Sequence, residues 1–559
     1  MELTNRIAIP NASKAIVNEV DDLASEHIRL YYQLFAERGL FEIQWQEIAE
    51  LILPNDSRSF QGQLMNQGQK RAQEKMYDTT GITALSRFTS ILDSLLTPHN
   101  QKWHSLHTDD PTLNRNYQVR KYFDTVNDTL FRERYMETAN FVENNQQTWM
   151  SLGAYGTGAL FTDQLWGQPG LRYKFITLGE LYFTENHQGV PDKVYRHYRL
   201  TARQAAQKWP DTAPEIIHLM AKTIPETLYE FLHCVVPNYE MDPARKDYKG
   251  MEWNSYDISI TGNAVLSIGG YRTFPYAISR YTQWLQEKYG RSPAMDMLPT
   301  LKTLNQEKKD LLKQAHRVID PIYLVHDDGV LNTMNARPGT VIPGGVTPDG
   351  RPLVHTLPTG NVQITPEIMK DDRDSIKDAF LVSLFQILVE TPEMTATEVM
   401  ERTKEKGILI APTIGRQETY LSRVINREID ILNQQGKLPK MPNILKEAKG
   451  QYKIRYESPL AKMRRAEEAS GFMRYLQTAT EVAQATGDPT AMFFVNWEEA
   501  APEIADIQGI PAKWINSLDK VKQMQQQHAQ AQQQQALIQA GPTIAAMQKN
   551  AQGKGPGLT

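Results

Sequence analysis

SPAMDMLPTLKTLNQEKKDLLKQAHRVID, residues Ser292–Asp320, is the stretch on which the fold turns. Pro293 stands at its start, where a helix needs no N–H, and apolar residues recur at Met297, Leu301, Leu304, Leu311, Leu312, Ala315 and Ile319. That spacing predicts an amphipathic helix with one side made for packing. On its other side fall Lys302, Gln306, Lys309, Lys313 and Arg317, a basic stripe spaced by three and four.

Working outward toward the C-terminus, residues 321–366 are dense in Pro and Gly. Gly344-Gly345 and Asp349-Gly350 are turn signals between β-prone pieces such as Tyr323-Leu324-Val325 and Leu353-Val354-His355. A small β-rich excursion between two helices is expected. The second helix, about Asp371 to Val389, is nearly all apolar from Ala379 onward, so its own chain or neighbouring subunits should cover it on several sides. A short loop with Pro392 follows, and Thr395-Ala396-Thr397-Glu398 matches a capping box opening the next helix. Gly407 and Pro412 predict a kink or break there, before the pattern resumes at Leu421, Val424, Ile425, Glu428 and Leu432 and stops at Gly436. After Pro459 the chain is helical and polar, turning glutamine-rich from Gln523 to Gln535.

Toward the N-terminus, residues from about Glu19 to Leu160 have a mostly helical pattern. Trp45, Ile48, Ala49 and Ile52 form one stripe closed by Pro54, and Leu85, Phe88, Ile91, Leu92 and Leu95 form another that stops at Pro98. Between about Leu171 and Tyr281 the period shortens to two, as in Val194-Tyr195-Arg196-His197-Tyr198, and strands are expected. Within that part Thr201 is placed as the N-cap of a short helix ending near Trp209-Pro210. The fold class expected is α+β, mainly helical.

Composition bounds the function. The 559 residues suggest roughly two to four structural units, and 40% hydrophobic with 23% charged residues is ordinary for a folded chain. A net charge of −4 leaves no global cationic field, so any contact with nucleic acid must be local, weak or transient. Cys234, the single cysteine, excludes an internal disulfide and a thiolate metal cluster; it suits a reducing compartment and a core position. No basic-then-apolar leader opens the chain and no apolar run approaches membrane-spanning length, so neither export nor membrane anchoring is expected.

Catalytic signatures are missing. There is no G-x-x-x-x-G-K-[ST] to hold nucleotide phosphates, no H-E-x-x-H and no G-x-S-x-G. Gly153-Ala154-Tyr155-Gly156-Thr157-Gly158 has its glycines in the reverse of the dinucleotide order and reads as close helix packing. Asp371, Asp372 and Asp374 around Arg373 suggest a nuclease less than they suggest acids at a helix start, where the macrodipole favours them. For the basic stripe the bland alternative is a solvated helix face; the functional one is a DNA-facing wall whose weak phosphate contacts are multiplied by a ring of copies.

Several strings together resemble the podovirus portal, or head-to-tail connector, family of short-tailed bacteriophages. They are Trp45-Gln46-Glu47-Ile48-Ala49, Leu53-Pro54, Tyr77-Asp78-Thr79-Thr80-Gly81, Leu92-Asp93-Ser94-Leu95-Leu96-Thr97-Pro98 and Trp103, then Tyr289-Gly290-Arg291-Ser292-Pro293-Ala294, Leu304-Asn305, Met394-Thr395-Ala396-Thr397-Glu398-Val399 and Ser458-Pro459-Leu460-Ala461. The resemblance covers roughly residues 20 to 470.

It implies a portal fold with wing, stem, clip and crown. Carried onto this chain, the wing is 1–291, the first stem helix 292–320, the clip 321–366, the second stem helix 367–389 and the tunnel loop 390–394. Wing helices follow over 395–458, a crown over 459–522, and a Gln-rich tail or barrel over 523–559. It also implies a dodecameric ring at one capsid vertex, non-enzymatic and without cofactor or metal, passing double-stranded DNA during packaging and ejection. The ring would be assembled in the host cytoplasm with capsid and scaffolding proteins. Lys302, Lys309, Lys313 and Arg317 would line the channel, and Glu390, Thr391, Pro392, Glu393 and Met394 would form the tunnel loop. Pro343, Gly344, Gly345, Asp349 and Gly350 would lie where terminase, and later a tail adaptor protein, docks; Phe380 and Leu384 would sit between subunits. Two competing expectations are a terminase-like packaging ATPase or nuclease, disfavoured by the missing phosphate loop, and an internal virion ejection protein, which would not be expected to place a β-rich excursion between two helices.

Overall fold

The computed structural model describes residues 14–54, 76–165, 167–245, 247–319, 365–382, 396–447 and 459–486, with short pieces at 323–325, 346–352, 354–356, 452–456 and 520–527 and a few single positions. In chain order the elements begin with α1 (Lys14–Ile52), α2 (Thr80–Leu96), β1 (His104–His107), α3 (Pro111–Arg115), α4 (Tyr117–Arg134) and α5 (Phe141–Tyr155). A strand-rich part follows: β2 (Thr157–Gln164), β3 (Leu171–Ile176), β4 (Leu181–Glu185), β5 (Pro191–Thr201), α6 (Ala202–Lys208), α7 (Glu215–Thr223), β6 (Leu228–Pro237), β7 (Trp253–Ser259), β8 (Ala264–Tyr271) and β9 (Tyr276–Arg280). Then come α8 (Pro293–Asp296), α9 (Leu298–Ile319), β10 (Tyr323–Val325), β11 (Val354–Thr356), α10 (Thr365–Ala379), α11 (Ala396–Gln434), α12 (Asn443–Glu447), β12 (Lys453–Tyr456) and α13 (Pro459–Thr486). Two compact units result, one of Met1–Thr97 with Arg134–Gln435, the other of Pro98–Glu133 with Gly436–Thr559.

In the first unit an antiparallel sheet runs β4-β5-β6-β7-β8. Because successive side chains point to opposite faces, Leu232 and Cys234 of β6 join Tyr195 and Tyr256 beneath Ala24, Tyr31 and Leu34 of α1, whereas Phe231, one residue away, turns to Trp209 and Ile217 on the α6–α7 side. The sheet is thus covered by α1 on one face and by α6 and α7 on the other. Cys234 behaves as a small core residue, and burial pushes its thiol well up. Arg38 pins α1 to the turn before β4: its guanidinium donates to the carbonyls of Leu178 and Leu181 at 2.7 and 2.8 Å and lies 3.7 Å from the Tyr182 ring centre. Thr201 and Gln204 form the capping box of α6.

A second sheet, β3-β2-β9, carries α5 and α11. Gly153 of α5 lets α2 approach, since a Cβ there would lie 2.7 Å from Leu85 and 2.8 Å from Phe88. The buried stripe of α11 is Gln417, Tyr420, Leu421, Val424, Ile425, Glu428, Ile431 and Leu432. Its polar members are matched: Ser279 donates to Gln417, the Tyr420 hydroxyl donates to Asn145 at 3.2 Å, and Glu428 accepts from Arg134 at 2.9 and 2.5 Å and from Tyr173 at 2.6 Å. Arg134 and Glu428 are both fully buried, so removing either charge leaves the other stranded.

The structure departs from the sequence pattern in two places. The helical pattern does not run on to Leu160: Gly156, at φ +77°, ends α5, and β2 begins at Thr157. Of the kink or break expected at Gly407 and Pro412, the break does not occur, since α11 is continuous through both. An interior proline costs about 3 kcal/mol, which burial of the stripe from Ile414 onward offsets.

In the second unit β1 pairs antiparallel with β12, His104 opposite Tyr456. Asn127 of α4 donates to the His104 carbonyl at 2.9 Å, the His104 ring stacks on Phe131 at 4.7 Å, and Lys437 pairs with Glu133 at 2.6 Å.

Candidate DNA-facing helix and the groups that hold it

The approach to α9 is built on contact between two glycines. A Cβ on Gly156 would lie 2.3 Å from the Gly290 carbonyl oxygen, and one on Gly290 would lie 2.2 Å from that of Gly156. No side chain fits on either. Next to them Gly290 donates its N–H to Thr157 at 2.9 Å, and Ser292 caps α8 by accepting from the Met295 N–H at 3.0 Å while donating to the Ala154 carbonyl at 2.8 Å.

Beyond this base Leu298, Leu301 and Leu304 of α9 are buried, and the helix then grows steadily more exposed until Val318 and Ile319 stand in solvent. A node at Tyr77-Asp78 fixes its lower half. Asn305 accepts the N–H groups of Tyr77 and Asp78 at 2.7 and 3.3 Å, and the Asp78 carboxylate accepts from the Thr80 N–H at 2.9 Å and from Arg373 of α10 at 2.7 and 3.2 Å. Partial burial opposes ionisation of Asp78, but the hydrogen bonds from Thr80 and Arg373 outweigh it and hold the carboxyl below the usual carboxylate range. The strings containing Asp78 and Asn305 carry no local sign of this role, because the Arg373 partner of Asp78 is 295 residues away.

The four cations assigned to the channel lie within about 80° of one another around α9, at 100° per residue. They are not equally free. Lys302 pairs with Glu47 at 2.7 Å and Lys313 with Asp310 at 3.2 Å, while Lys309 lies 5.7 Å from the Tyr77 ring centre; Arg317 is exposed in the last turn. The stripe is therefore weaker in charge than four unmatched cations. Glu307, facing α10 from α9, is raised by burial and by Asp372.

Asp371, Asp372 and Asp374 are not at a helix start. α10 opens six residues earlier with Thr365-Pro366, so the acids lie in its interior, where Asp374 pairs with Lys377 at 2.8 Å. This helix ends at Ala379, and Leu381 takes φ +61°; residues 383–389, over which the helix was expected to continue, lie outside the described residues. Phe380, placed between subunits by its sequence, is instead fully buried in its own chain, edge-on to Phe88 with ring centres 6.0 Å apart. Met369, Ile376 and Phe380 form one inward face of this segment.

Between the helices β10 and β11 pair antiparallel, Tyr323 opposite Thr356. Asp349-Gly350 forms a turn: Gly350, at φ +77°, donates to the Thr347 carbonyl at 2.9 Å. Pro343, Gly344, Gly345, Leu384 and the loop Glu390–Met394 lie outside the described residues. Among the described residues no group of three or more His, Cys, Asp or Glu could hold a metal ion, and no helix is long and apolar enough to cross a membrane.

The model of the family described as bacteriophage head to tail connecting protein matches residues 24–515, and the chain belongs to that family. It is 24% identical over 522 residues to the portal protein of Salmonella phage epsilon15, covering 90% of this chain and 91% of that one. To the probable portal protein of Bordetella phage BPP-1 it is 26% identical over 539 residues, covering 92% and 93%. Among solved structures, the neck of an empty gene transfer agent particle aligns over 71% of this chain and 87% of that one, at 11% identity and a TM-score of 0.36.

Proposed function

We propose that this chain is a portal protein, a non-enzymatic subunit whose copies close into a ring at one capsid vertex. The observation that carries this reading is the family match, which spans both α9 and α10 and the paired strands between them. In this reading α9 and α10 form the stem, and β10 and β11 belong to the clip. The exposed end of α9, with Val318 and Ile319 uncovered in one chain, suits a shaft that neighbouring copies complete.

Lys309, Lys313 and Arg317 face the duplex. Lys302 adds less because Glu47 already holds it. Each phosphate contact is weak, and a ring multiplies it without gripping, which suits DNA that must slide. The clip end docks the terminase motor during packaging and tail adaptor proteins afterwards. Negative-stain images of the purified chain test the reading: rings with a central hole, of twelve subunits, are expected, and single subunits under every assembly condition would refute it.

A further inference from the structure

The helix α1 has two apolar sides. One lies on the sheet; the other holds Tyr32, Phe35, Leu40 and Ile43 within an arc of about 140°, with no charged residue inside it between positions 32 and 43. Leu40 is 84% and Ile43 64% exposed. An ordinary surface helix turns polar residues to solvent here.

Beside this strip stands the loop 281–291. Its ends are tied by the Thr282 and Arg291 backbones at 2.7 and 3.2 Å, and Arg291 is held to Glu287 at 2.8 and 2.5 Å and to Gln44 at 3.2 Å, while Lys288 pairs with Glu37 at 2.5 Å. The anchored loop nevertheless presents Trp284 and Leu285, 63% and 92% exposed, to solvent. Leu40 lies on α1 between Glu37 and Gln44, so the strip borders the anchored end of the loop that carries Trp284 and Leu285.

On the opposite face of the same sheet α7 carries a second strip. Ile217 points inward, and Ile216, Leu219 and Ile224 point out. Closed rings are built from head-to-tail contacts, which require two different patches on one subunit. At the rims Glu37 is matched by Lys288 and Arg203 by Glu226 inside the chain, so covering the strips does not strand these charges.

Resting on the portal reading, we infer that the outer strip of α1 with the Trp284–Leu285 tip is the seat of a second copy of this chain, and that it meets that copy's α7. The test uses two full-length variants, L40D/I43D and I216D/L219D, with folding checked by circular dichroism and mass by native mass spectrometry. Each alone is expected to stay a single subunit, and an equal mixture to stop at a heterodimer, because only one good contact remains. Rings from either variant, or a mixture that stays monomeric, would overturn the inference while wild-type rings keep the portal reading intact. Absence of rings in the wild type sinks both. Should a variant misfold, a chain carrying Leu40→Cys and Leu219→Cys, treated with a short bismaleimide, is expected to give a ladder of covalent multimers that neither single variant gives; no ladder overturns the inference.

Discussion

Arg373 of α10 donates two hydrogen bonds to one carboxylate oxygen of Asp78, the residue whose other oxygen receives the Thr80 N–H at the start of α2. One acidic side chain thus joins the first turn of α2 to α10, while its own N–H and that of Tyr77 tie the same loop to Asn305 of α9.

Asp78→Asn should therefore destabilise the first unit by about 1–3 kcal/mol, the usual cost of losing a charge-assisted hydrogen bond in a partly buried site. The folded-state carboxyl is held below its ordinary value, so its contribution is complete above the unfolded value near pH 4 and is lost as pH falls through the folded one. Urea midpoints of wild type and variant should differ at pH 7 and converge in acid. A difference that stays constant down to acid would show that the charge is irrelevant.

Gly290→Ala should be among the most damaging single-methyl changes in the chain. The added carbon meets a backbone carbonyl at 2.2 Å, and backbone cannot rotate away as a side chain does. A loss of about 3 kcal/mol or more is expected from strain of this kind. Gly350→Ala is the control: its added carbon has no neighbour within 4 Å, and only its left-handed φ is disturbed. Thermal melts that rank the two equally would contradict the close approach.

Phe380→Ala should cost about 3–5 kcal/mol by emptying a buried ring site, and Phe88→Ala a similar amount. Because the rings touch, the double variant should lose less than the two singles combined. Additive losses in a denaturant series would place the rings in separate clusters. Phe380→Asp is accordingly expected to give unfolded or aggregated chain, not folded subunits that merely fail to assemble.

Glu428→Gln should cost about 3–5 kcal/mol, since Arg134 then keeps its charge in a dry interior without a counter-ion. Equilibrium unfolding measures it, and a loss under 1 kcal/mol would mean that water reaches the pair.

Replacing Lys309, Lys313 and Arg317 with Ala should leave rings intact and reduce retained DNA per capsid. Lys302→Ala alone should change retention little and stability by no more than about 0.5 kcal/mol, as an exposed ion pair with Glu47 is worth little. Equal DNA content in wild type and triple variant would reduce the stripe to solvated surface.

Local elements are legible in the sequence wherever one buried side sets the period. The stripe of α1 closing at Pro54, the stripe of α2, the packing side of α9, the paired strands after it and the Thr201 cap all follow from neighbours within a few residues. The sequence also places the basic residues together on one side of α9. Tertiary structure alone decided what those sides meet. Gly156 meets Gly290, Asp78 meets Arg373 and Arg134 meets Glu428 across separations of more than a hundred residues. It turned Phe380 inward, carried α11 through Pro412 and spent part of the α9 charge on Glu47 and Asp310. The physical reason is that periodicity reports which side of an element is to be covered and never by what; the covering partner is chosen by packing and desolvation over the whole chain.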